Sequence, residues 1–338
     1  MSRIQRVAHA PVATGSLSSR ILIGLLLLAG VCIAVYPMTA RWFSQLTQSE
    51  LIGNYGVEMS EVGKAERQAT LDAAREYNNT LNAGAAFDPF TQGIAGLESP
   101  QYQDYLGHLE GIPTGVMARV LIPAIEVDLP IYHGTTDTVL HKGVGHLFGT
   151  ALPVGGEGTR STLTAHSGLA DAVLFTFLER LKPGDIFHIE VYGERLTYRI
   201  FEIKVIEPDE SDQIAPEAGR DLVTLVTCTP IGVNSQRLIV TGERIETIID
   251  EDNPVPAETE LPGFLWWAVI LGVSALIVLG YIVFGGHRGG RHRAYLDDHE
   301  HDSLTANELG DPVQADPALL GEKPTTALEP QTEPAASP

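Results

Sequence analysis

One of the two cysteines stands where a strand would present a nucleophile. The run DLVTLVTCTP is rich in β-branched residues and places Cys228 at the end of a predicted strand, just before a Thr-Pro step. A strand fixes the backbone of such a residue, while the following loop leaves its sulfur accessible. A buried structural thiol fits the same pattern equally well. Cys32 lies in a long apolar segment, so we expect no disulfide between the two.

A cysteine nucleophile needs a proton-transferring partner and a group that stabilises the developing oxyanion. His166 closes the strand-like run STLTAH before a Ser-Gly break, so we place it at a strand end, as we do Cys228. Arg237 opens the run SQRLIVTGE, and a short connection would return its guanidinium to the cysteine; the alternative is a solvated strand residue. The other histidines between residues 42 and 260 fit surface or core positions: His108, His133, His141, His146 and His188. We see no tight ligand spacing among them and expect neither a metal nor a cofactor.

The residues around these three predict a mainly β domain. From residue 116 to 249 short runs of β-branched and aromatic residues alternate with Gly, Pro, Asn and Asp, which predicts a closed or nearly closed barrel of six to eight strands. The stretch ADAVLFTFLERL is predicted as a helix within it. Before the barrel, residues 41–115 form an extension, with a helix predicted from Ser49 to Asn82 by the spacing of its small and apolar positions.

Two uncharged apolar segments flank this region and predict membrane spans. Residues 21–40 read as an uncleaved signal anchor and residues 261–284 as a second transmembrane helix; a cleaved signal peptide or buried core helices are the alternatives. Arginines precede the first segment and follow the second, so the positive-inside rule places both termini in the cytoplasm and the barrel outside. The remaining parts are a cytoplasmic N-terminus (1–20), an acidic linker (250–260) and a disordered cytoplasmic tail (285–338).

Charge excludes one class of partner. Residues 42–260 carry 14 basic and 33 acidic side chains, a net charge of −19, within a chain whose total is −21. A domain this acidic does not bind nucleic acid by neutralising phosphates. Membrane lipid is the partner that the apolar segments imply.

Taken together, the motifs resemble the catalytic domain of the sortase family over residues 116–246. The pattern T-L-x-T-C-x-P runs from Thr224 to Pro230 and contains Cys228. Arg237 follows nine residues after the cysteine, and an apolar strand with Gly-Glu-Arg comes next. The resemblance implies an eight-stranded β-barrel and a catalytic triad of His166, Cys228 and Arg237. We also predict that Thr227 and Ser167 contact substrate. Departures from the pilus-type pattern are small and lie at Ala165, Ser167 and Ile231.

Two features outside the barrel resemble the class C, pilus-assembling sortases of Gram-positive bacteria. One is the second apolar helix, and the other is the loop segment Asp88, Pro89 and Phe90, which resembles the lid over the class C cleft. A simple turn with proline at its second position is the alternative for this segment. The resemblance implies a transpeptidase that cleaves an LPxTG-like sorting signal between Thr and Gly and joins it to a pilin lysine.

Three other functions fit the same sequence. A housekeeping sortase would attach proteins to peptidoglycan, and the lid and second helix count against it. A catalytically idle module would hold a sorting signal without cleaving it, but the intact His, Cys and Arg oppose that interpretation. A hydrolytic cysteine protease would release surface proteins, and only acceptor assays separate it from a transpeptidase.

Overall fold

A computed structural model describes residues 16–81, 99–247 and 262–285 of the chain. The chain divides into two compact units, and nearly all described residues belong to the larger one, Leu17–Ile282. The predicted lid residues Asp88, Pro89 and Phe90 lie outside the described residues, as do the whole predicted linker and all of the predicted tail except residue 285.

Eight strands close into a barrel, which confirms the predicted fold. Their order around the barrel is β1-β2-β3-β4-β7-β8-β6-β5. The strands are β1 (Ala118–Ile122), β2 (Val127–His133), β3 (Val144–His146), β4 (Thr159–Thr164), β5 (Ile186–Val191), β6 (Glu194–Ile206), β7 (Asp221–Thr229) and β8 (Gln236–Ile245). Neighbouring strands are antiparallel except for the pairs β2–β3 and β4–β7, which are parallel.

Alternating and continuous apolar runs explain why these segments form a barrel. In β5 the buried side chains alternate, whereas β7 is buried without interruption from Leu222 to Thr227 because both of its faces are covered. The interior is filled by large side chains such as Phe187 and Tyr198, whose rings stack at 5.4 Å. On β1 the buried Arg119 binds Asp128 and Glu190 of the two flanking strands, at 2.6 and 3.0 Å.

The helical extension differs from the prediction in its boundaries. Helix α1 (Leu17–Glu61) is continuous from the first apolar segment into the extension, and α2 (Lys64–Thr80) follows after a break at Gly63. Both helices pack on the barrel through buried side chains: Ile52, Tyr55 and Met59 from α1, and Leu71, Ala74 and Tyr77 from α2. A predicted helix that started at Ser49 was therefore wrong, because residues on both sides of that point belong to one helix.

Other local predictions were also wrong. The stretch ADAVLFTFLERL is not an α-helix; only Leu178–Arg180 forms a short 3-10 turn. Leu174 adopts a left-handed φ of 43°, and the N–H of Phe175 donates to the carbonyl of His166 instead of to a helical neighbour. The Phe175 side chain is buried in the core. Two short helices were not predicted: α3 (Pro100–Leu106) and α4 (Asp137–Lys142).

Two of the described helices, α1 and α5 (Trp266–Phe284), are long and apolar enough to cross a membrane. Length and composition alone identify them as candidate spans, and most of their apolar side chains face outward in this structure. They correspond to the two segments that the sequence marks as apolar.

Candidate active site

Cys228 and Arg237 lie directly opposite each other on neighbouring strands. The antiparallel register of β7 and β8 pairs them residue for residue, and the loop from Pro230 to Ser235 connects the two strands. Cys228 is half-buried at the end of β7, where the strand gives way to this exposed loop. The register thus brings together two of the three residues predicted to be catalytic. Neither cysteine of the chain is in a disulfide.

Arg237 is not a solvated strand residue. Its relative exposure is 7%, and its Nη1 donates hydrogen bonds to the carbonyl oxygens of Asn234 and Gln236, both at 3.2 Å. The guanidinium is therefore fastened to the backbone of its own loop on the Cys228 side of the sheet. A cation held in this way is preorganised to meet negative charge without a large rearrangement.

His166 reaches the same end of the barrel through the parallel pair β4–β7. Thr164 pairs with Val226, and the next residue, Ala165, continues the ladder by donating its N–H to the Val226 carbonyl at 3.2 Å. Strand β4 ends at Thr164, so His166 lies two residues beyond the strand. The sequence had placed it at the last position of the strand, which was wrong. The carbonyl of His166 accepts a hydrogen bond from the N–H of Phe175 at 3.1 Å, which fixes the start of the following loop.

Two hydroxyl groups tie the His166 segment to the Cys228 segment. Thr227 Oγ1 donates to the carbonyl of Ala165 at 2.8 Å, and Ser167 Oγ donates to the carbonyl of Cys228 at 2.6 Å. Thr227 precedes Cys228 and Ser167 follows His166, so each bond links the chain segment of one predicted catalytic residue to the segment of the other. We predicted that Thr227 and Ser167 contact substrate, and that stays a prediction; the structure gives both side chains a positioning contact.

The surroundings of His166 include two residues that sequence reasoning missed. Helix α4 places Asp137 Oδ1 3.7 Å from His166 Nε2, and the His141 ring lies edge-on to the His166 ring with centroids 5.1 Å apart. Burial lowers the pKa of His166, the nearby His141 lowers it further, and the Asp137 carboxylate opposes the shift. A lowered pKa favours the neutral imidazole at neutral pH.

Asp137, His141 and His166 lie close enough together to hold a metal ion, which differs from our expectation of no tight ligand spacing. One ligand atom from each of Asp137, His141 and His166 lies within 4.8 Å of the others, and such a set of imidazoles and a carboxylate suits an ion like Zn²⁺. The sequence signal was an Asp followed four residues later by His, which faces one side of a helix. The approach of His166 is a tertiary contact that the sequence does not reveal.

The remaining histidines have contacts of a structural kind. His146 is fully buried; its Nε2–H donates to the carbonyl of Ala151 at 2.8 Å, and its Nδ1 accepts from the Tyr105 hydroxyl at 2.9 Å. Burial lowers the pKa of His146 to about 3. His133 donates to the carbonyl of His108 at 2.7 Å.

A closed eight-stranded barrel with a cysteine and an arginine paired at the mouth of two strands is the architecture of a sortase domain. The family model "Sortase domain" matches residues 120–245. Sortase C-1 from Actinomyces oris is 48% identical, with a TM-score of 0.51 over 54% of this chain and 99% of that one. The chain therefore belongs to the sortase family, as its motifs predicted, and the barrel is the family's fold.

Two further relatives define how far the similarity extends. Sortase C from Streptococcus pneumoniae, whose structure is described as informing catalysis and pilin substrate specificity, is 36% identical with a TM-score of 0.53, over 61% of this chain and 99% of that one. Sortase A of Bacillus anthracis is 27% identical over 132 residues, which is 39% of this chain and 61% of that protein. The matched part thus spans less than two thirds of this curated relative, whereas it covers almost all of the solved class C domains.

Proposed function

We propose that the chain is a cysteine transpeptidase that cleaves an LPxTG-like sorting signal between Thr and Gly. The observation that carries this proposal is the pairing of Cys228 with Arg237 across β7 and β8, with His166 following the adjacent strand β4. A nucleophile, a fixed cation and a proton carrier at one barrel end are the groups that acyl transfer requires.

Each proposed role follows from the position of the side chain. The Cys228 thiolate attacks the carbonyl carbon of the threonine, and the Arg237 guanidinium stabilises the tetrahedral oxyanion. His166 in its protonated form gives a proton to the departing glycine amine, which leaves a thioacyl enzyme and a neutral imidazole. An incoming amine then attacks the thioester, His166 takes its proton, and the thiolate departs as the amide forms. The lowered pKa of His166 makes its protonated form a stronger acid towards the departing amine, and at neutral pH only the minor protonated fraction is competent for this step.

The proposal includes assignment of the chain to class C, with a pilin lysine as the accepting amine. Its support is the similarity to sortase C-1 of Actinomyces oris and sortase C of Streptococcus pneumoniae. The second candidate span adds to it. The predicted lid of Asp88, Pro89 and Phe90 belongs to the same proposal. Polymerisation of pilins follows when the acceptor lysine belongs to another pilin subunit.

We further propose that α1 and α5 anchor the enzyme in the cell membrane of a Gram-positive bacterium, with the barrel outside and both termini in the cytoplasm. The support is the pair of apolar helices and the arginines that flank their uncharged runs, Arg3, Arg6 and Arg20 before residues 21–40 and Arg288, Arg291 and Arg293 after residues 261–284. Protease added to wall-stripped cells should digest an epitope at residue 155 and spare one at residue 330. The reverse result would refute this topology.

The decisive experiment compares the two cysteines in the full-length protein. Cys228→Ala should abolish the thioacyl adduct that mass spectrometry detects after incubation with an LPxTG peptide, while the circular dichroism spectrum stays unchanged. Cys32→Ala is the matched control, because Cys32 lies on an exposed face of a candidate span, and its adduct should match that of the wild type. An adduct that survives Cys228→Ala would refute the enzyme proposal.

Acceptor assays then separate the alternatives. A lysine-containing pilin fragment should resolve the adduct faster than water does, and it should do so more readily than a peptidoglycan crossbridge amine. Release by water alone would favour a hydrolytic protease, and preference for the crossbridge would favour a housekeeping sortase.

A further inference from the structure

The two candidate spans lie side by side and antiparallel. Near the start of α1, the Arg20 guanidinium is 3.4 Å from the carbonyl of Ile282, close to the end of α5. One turn later Gly24 lies so close to Val278 that an added Cβ would come within 2.8 Å of that side chain. Small residues allow two membrane helices to approach closely, so α1 and α5 are packed as a transmembrane pair would be.

An aromatic cluster marks the other end of this pair. Trp42 and Phe43 of α1 lie against Trp267 of α5, with ring centroids 6.1 and 5.9 Å apart, and the Trp42 indole N–H donates to the carbonyl of Gly263 at 2.8 Å. Tryptophan is enriched where a membrane helix meets the headgroups, because its ring is apolar and its N–H needs a polar partner. The cluster therefore sets the level of the outer headgroups on α1.

At that level α1 already contacts the catalytic end of the barrel. Arg41, the neighbour of Trp42, donates from Nε to the carbonyl of Ala170 at 3.1 Å, in the loop that follows His166. Two turns further along, Gln48 Nε2 is 3.5 Å from the carbonyl of Lys142 at the end of α4.

The opposite end of the barrel meets α1 farther from the cluster. Tyr55 accepts a hydrogen bond from the N–H of Tyr192 at 3.0 Å, in the turn between β5 and β6, and Glu58 accepts one from Thr114, also at 3.0 Å. From this turn β6 runs to Ile206, which pairs with Arg237 at the catalytic end. A helix rises 1.5 Å per residue, so the contact at Tyr55 is about 21 Å farther along α1 than the contact at Arg41.

Exposed apolar side chains also lie at the catalytic end of the barrel, the end near the aromatic cluster. In the loop between β7 and β8, Ile231 is 47% and Val233 is 69% exposed. This loop adjoins the one that Arg41 holds, since a Cβ on Gly168 would run into the Ile231 side chain. Large apolar groups in water next to a headgroup level are suited to burial in lipid.

From these contacts we infer that the catalytic end of the barrel faces the membrane and that Ile231 and Val233 dock on the lipid surface of the bilayer that α1 crosses. The contact is apolar, because a domain region with a net charge of −19 gains nothing from anionic lipid. Cys228 then works close to the headgroups. The inference rests on the proposed anchoring by α1 and not on the proposed transpeptidation.

The test measures depth in phosphatidylcholine nanodiscs with the full-length chain carrying Cys32→Ala and Cys228→Ala. A bimane label is placed at Val233→Cys, at Glu157→Cys as the matched control, or at Ile33→Cys as the anchoring control. Glu157 is exposed beside the start of β4, which pairs with the start of β7, so it lies about 20 Å from the Cys228 end at roughly 3.3 Å per residue. Fluorescence is quenched by lipids with a nitroxide on the headgroup for the two barrel positions, and on the acyl chain for Ile33.

We expect the label at Val233 to lose at least half of its fluorescence with headgroup nitroxide, and the label at Glu157 to lose less than a tenth. Equal quenching at the two positions, or stronger quenching at Glu157, would overturn the inference. An unquenched label at Ile33 would refute the anchoring itself, together with the inference built on it. None of these readouts requires an active thiol, so a failure of the transpeptidase proposal would leave them unchanged.

Discussion

Replacing Thr227 with valine removes one of the two hydroxyl ties between the His166 and Cys228 segments while keeping the shape of the side chain. The threonine is 2% exposed, and its hydroxyl donates to the Ala165 carbonyl at 2.8 Å. A buried hydrogen bond contributes about 1 kcal/mol net, and a buried acceptor that loses a donor costs about 1–3 kcal/mol. We therefore expect Thr227→Val to lower the free energy of unfolding by about 1–2 kcal/mol, measured by urea denaturation.

Activity should fall as well, because the tie sets the position of the segment that carries His166. If misalignment raises the activation free energy by about 1.4 kcal/mol, the reaction is tenfold slower. We expect kcat for a fluorogenic LPxTG peptide to drop about three- to tenfold. An unchanged KM would mean that the hydroxyl acts by positioning alone, and a raised KM would support the predicted contact of Thr227 with substrate.

Thr164→Val is the matched control. Thr164 is a buried threonine on β4 whose hydroxyl has no hydrogen-bond partner in the part of the chain that the structure describes. Removing an unsatisfied buried hydroxyl should leave stability unchanged or raise it by up to about 1 kcal/mol, with kcat within twofold of the wild type. If both valine variants behaved alike, the tie would not position His166. Combining Thr227→Val with Ser167→Ala should show coupling above about 0.5 kcal/mol, because both bonds join the same two segments.

Three other predictions test the remaining parts of the site and the core. Arg237→Lys keeps the charge but loses the planar fork, so peptide turnover should fall by about one to three decades; a loss below threefold would contradict the oxyanion role. The pKa of His146 is lowered to about 3 in the folded protein. Between pH 6.5 and about 3 the unfolded chain therefore binds a proton at this histidine and the folded chain does not. Stability should thus be lost as the pH falls from 6.5 towards 3, by up to about 1.4 kcal/mol per unit from this group, and urea unfolding of His146→Gln should show a shallower acid slope. Asp88→Ala or Phe90→Ala should speed alkylation of Cys228 by a small thiol reagent, and rates equal to the wild type would mean that this segment is no lid.

Sequence patterns predicted the barrel because its strands carry their own signals. β-Branched runs such as TLVTC and RLIVT, separated by Gly, Pro and Asn, define strands without knowledge of their partners. The same signals placed Cys228 and Arg237 on consecutive strands, and the register of β7 and β8 then brings them opposite each other.

Local sequence patterns did not predict the contacts between segments that are distant along the chain. The run ADAVLFTFLERL has apolar residues at helical spacing, yet the N–H of Phe175 bonds to the His166 carbonyl and not to a helical neighbour. Asp137 approaches His166 because α4 packs on β3, the strand that pairs with β4, and no local pattern encodes that packing. The continuity of α1 was not predicted either: Ile52, Tyr55 and Met59 lie within the helix that the sequence predicts from Ser49, but that helix continues without a break from the first apolar segment.

That continuity has a practical consequence for preparing the barrel without its candidate membrane span. The side chains of Ile52, Tyr55 and Met59 are between 3% and 6% exposed, so they are core residues although they belong to the same helix as the candidate span. A truncation at the natural break, Gly63, would remove all three, at about 1.5–3 kcal/mol for each buried large side chain. Domains have only about 5–15 kcal/mol to lose. A secreted or crystallisable form should therefore be cut inside the helix, after the aromatic cluster and before Gln48, where the chain has passed the apolar run and has not yet entered the core.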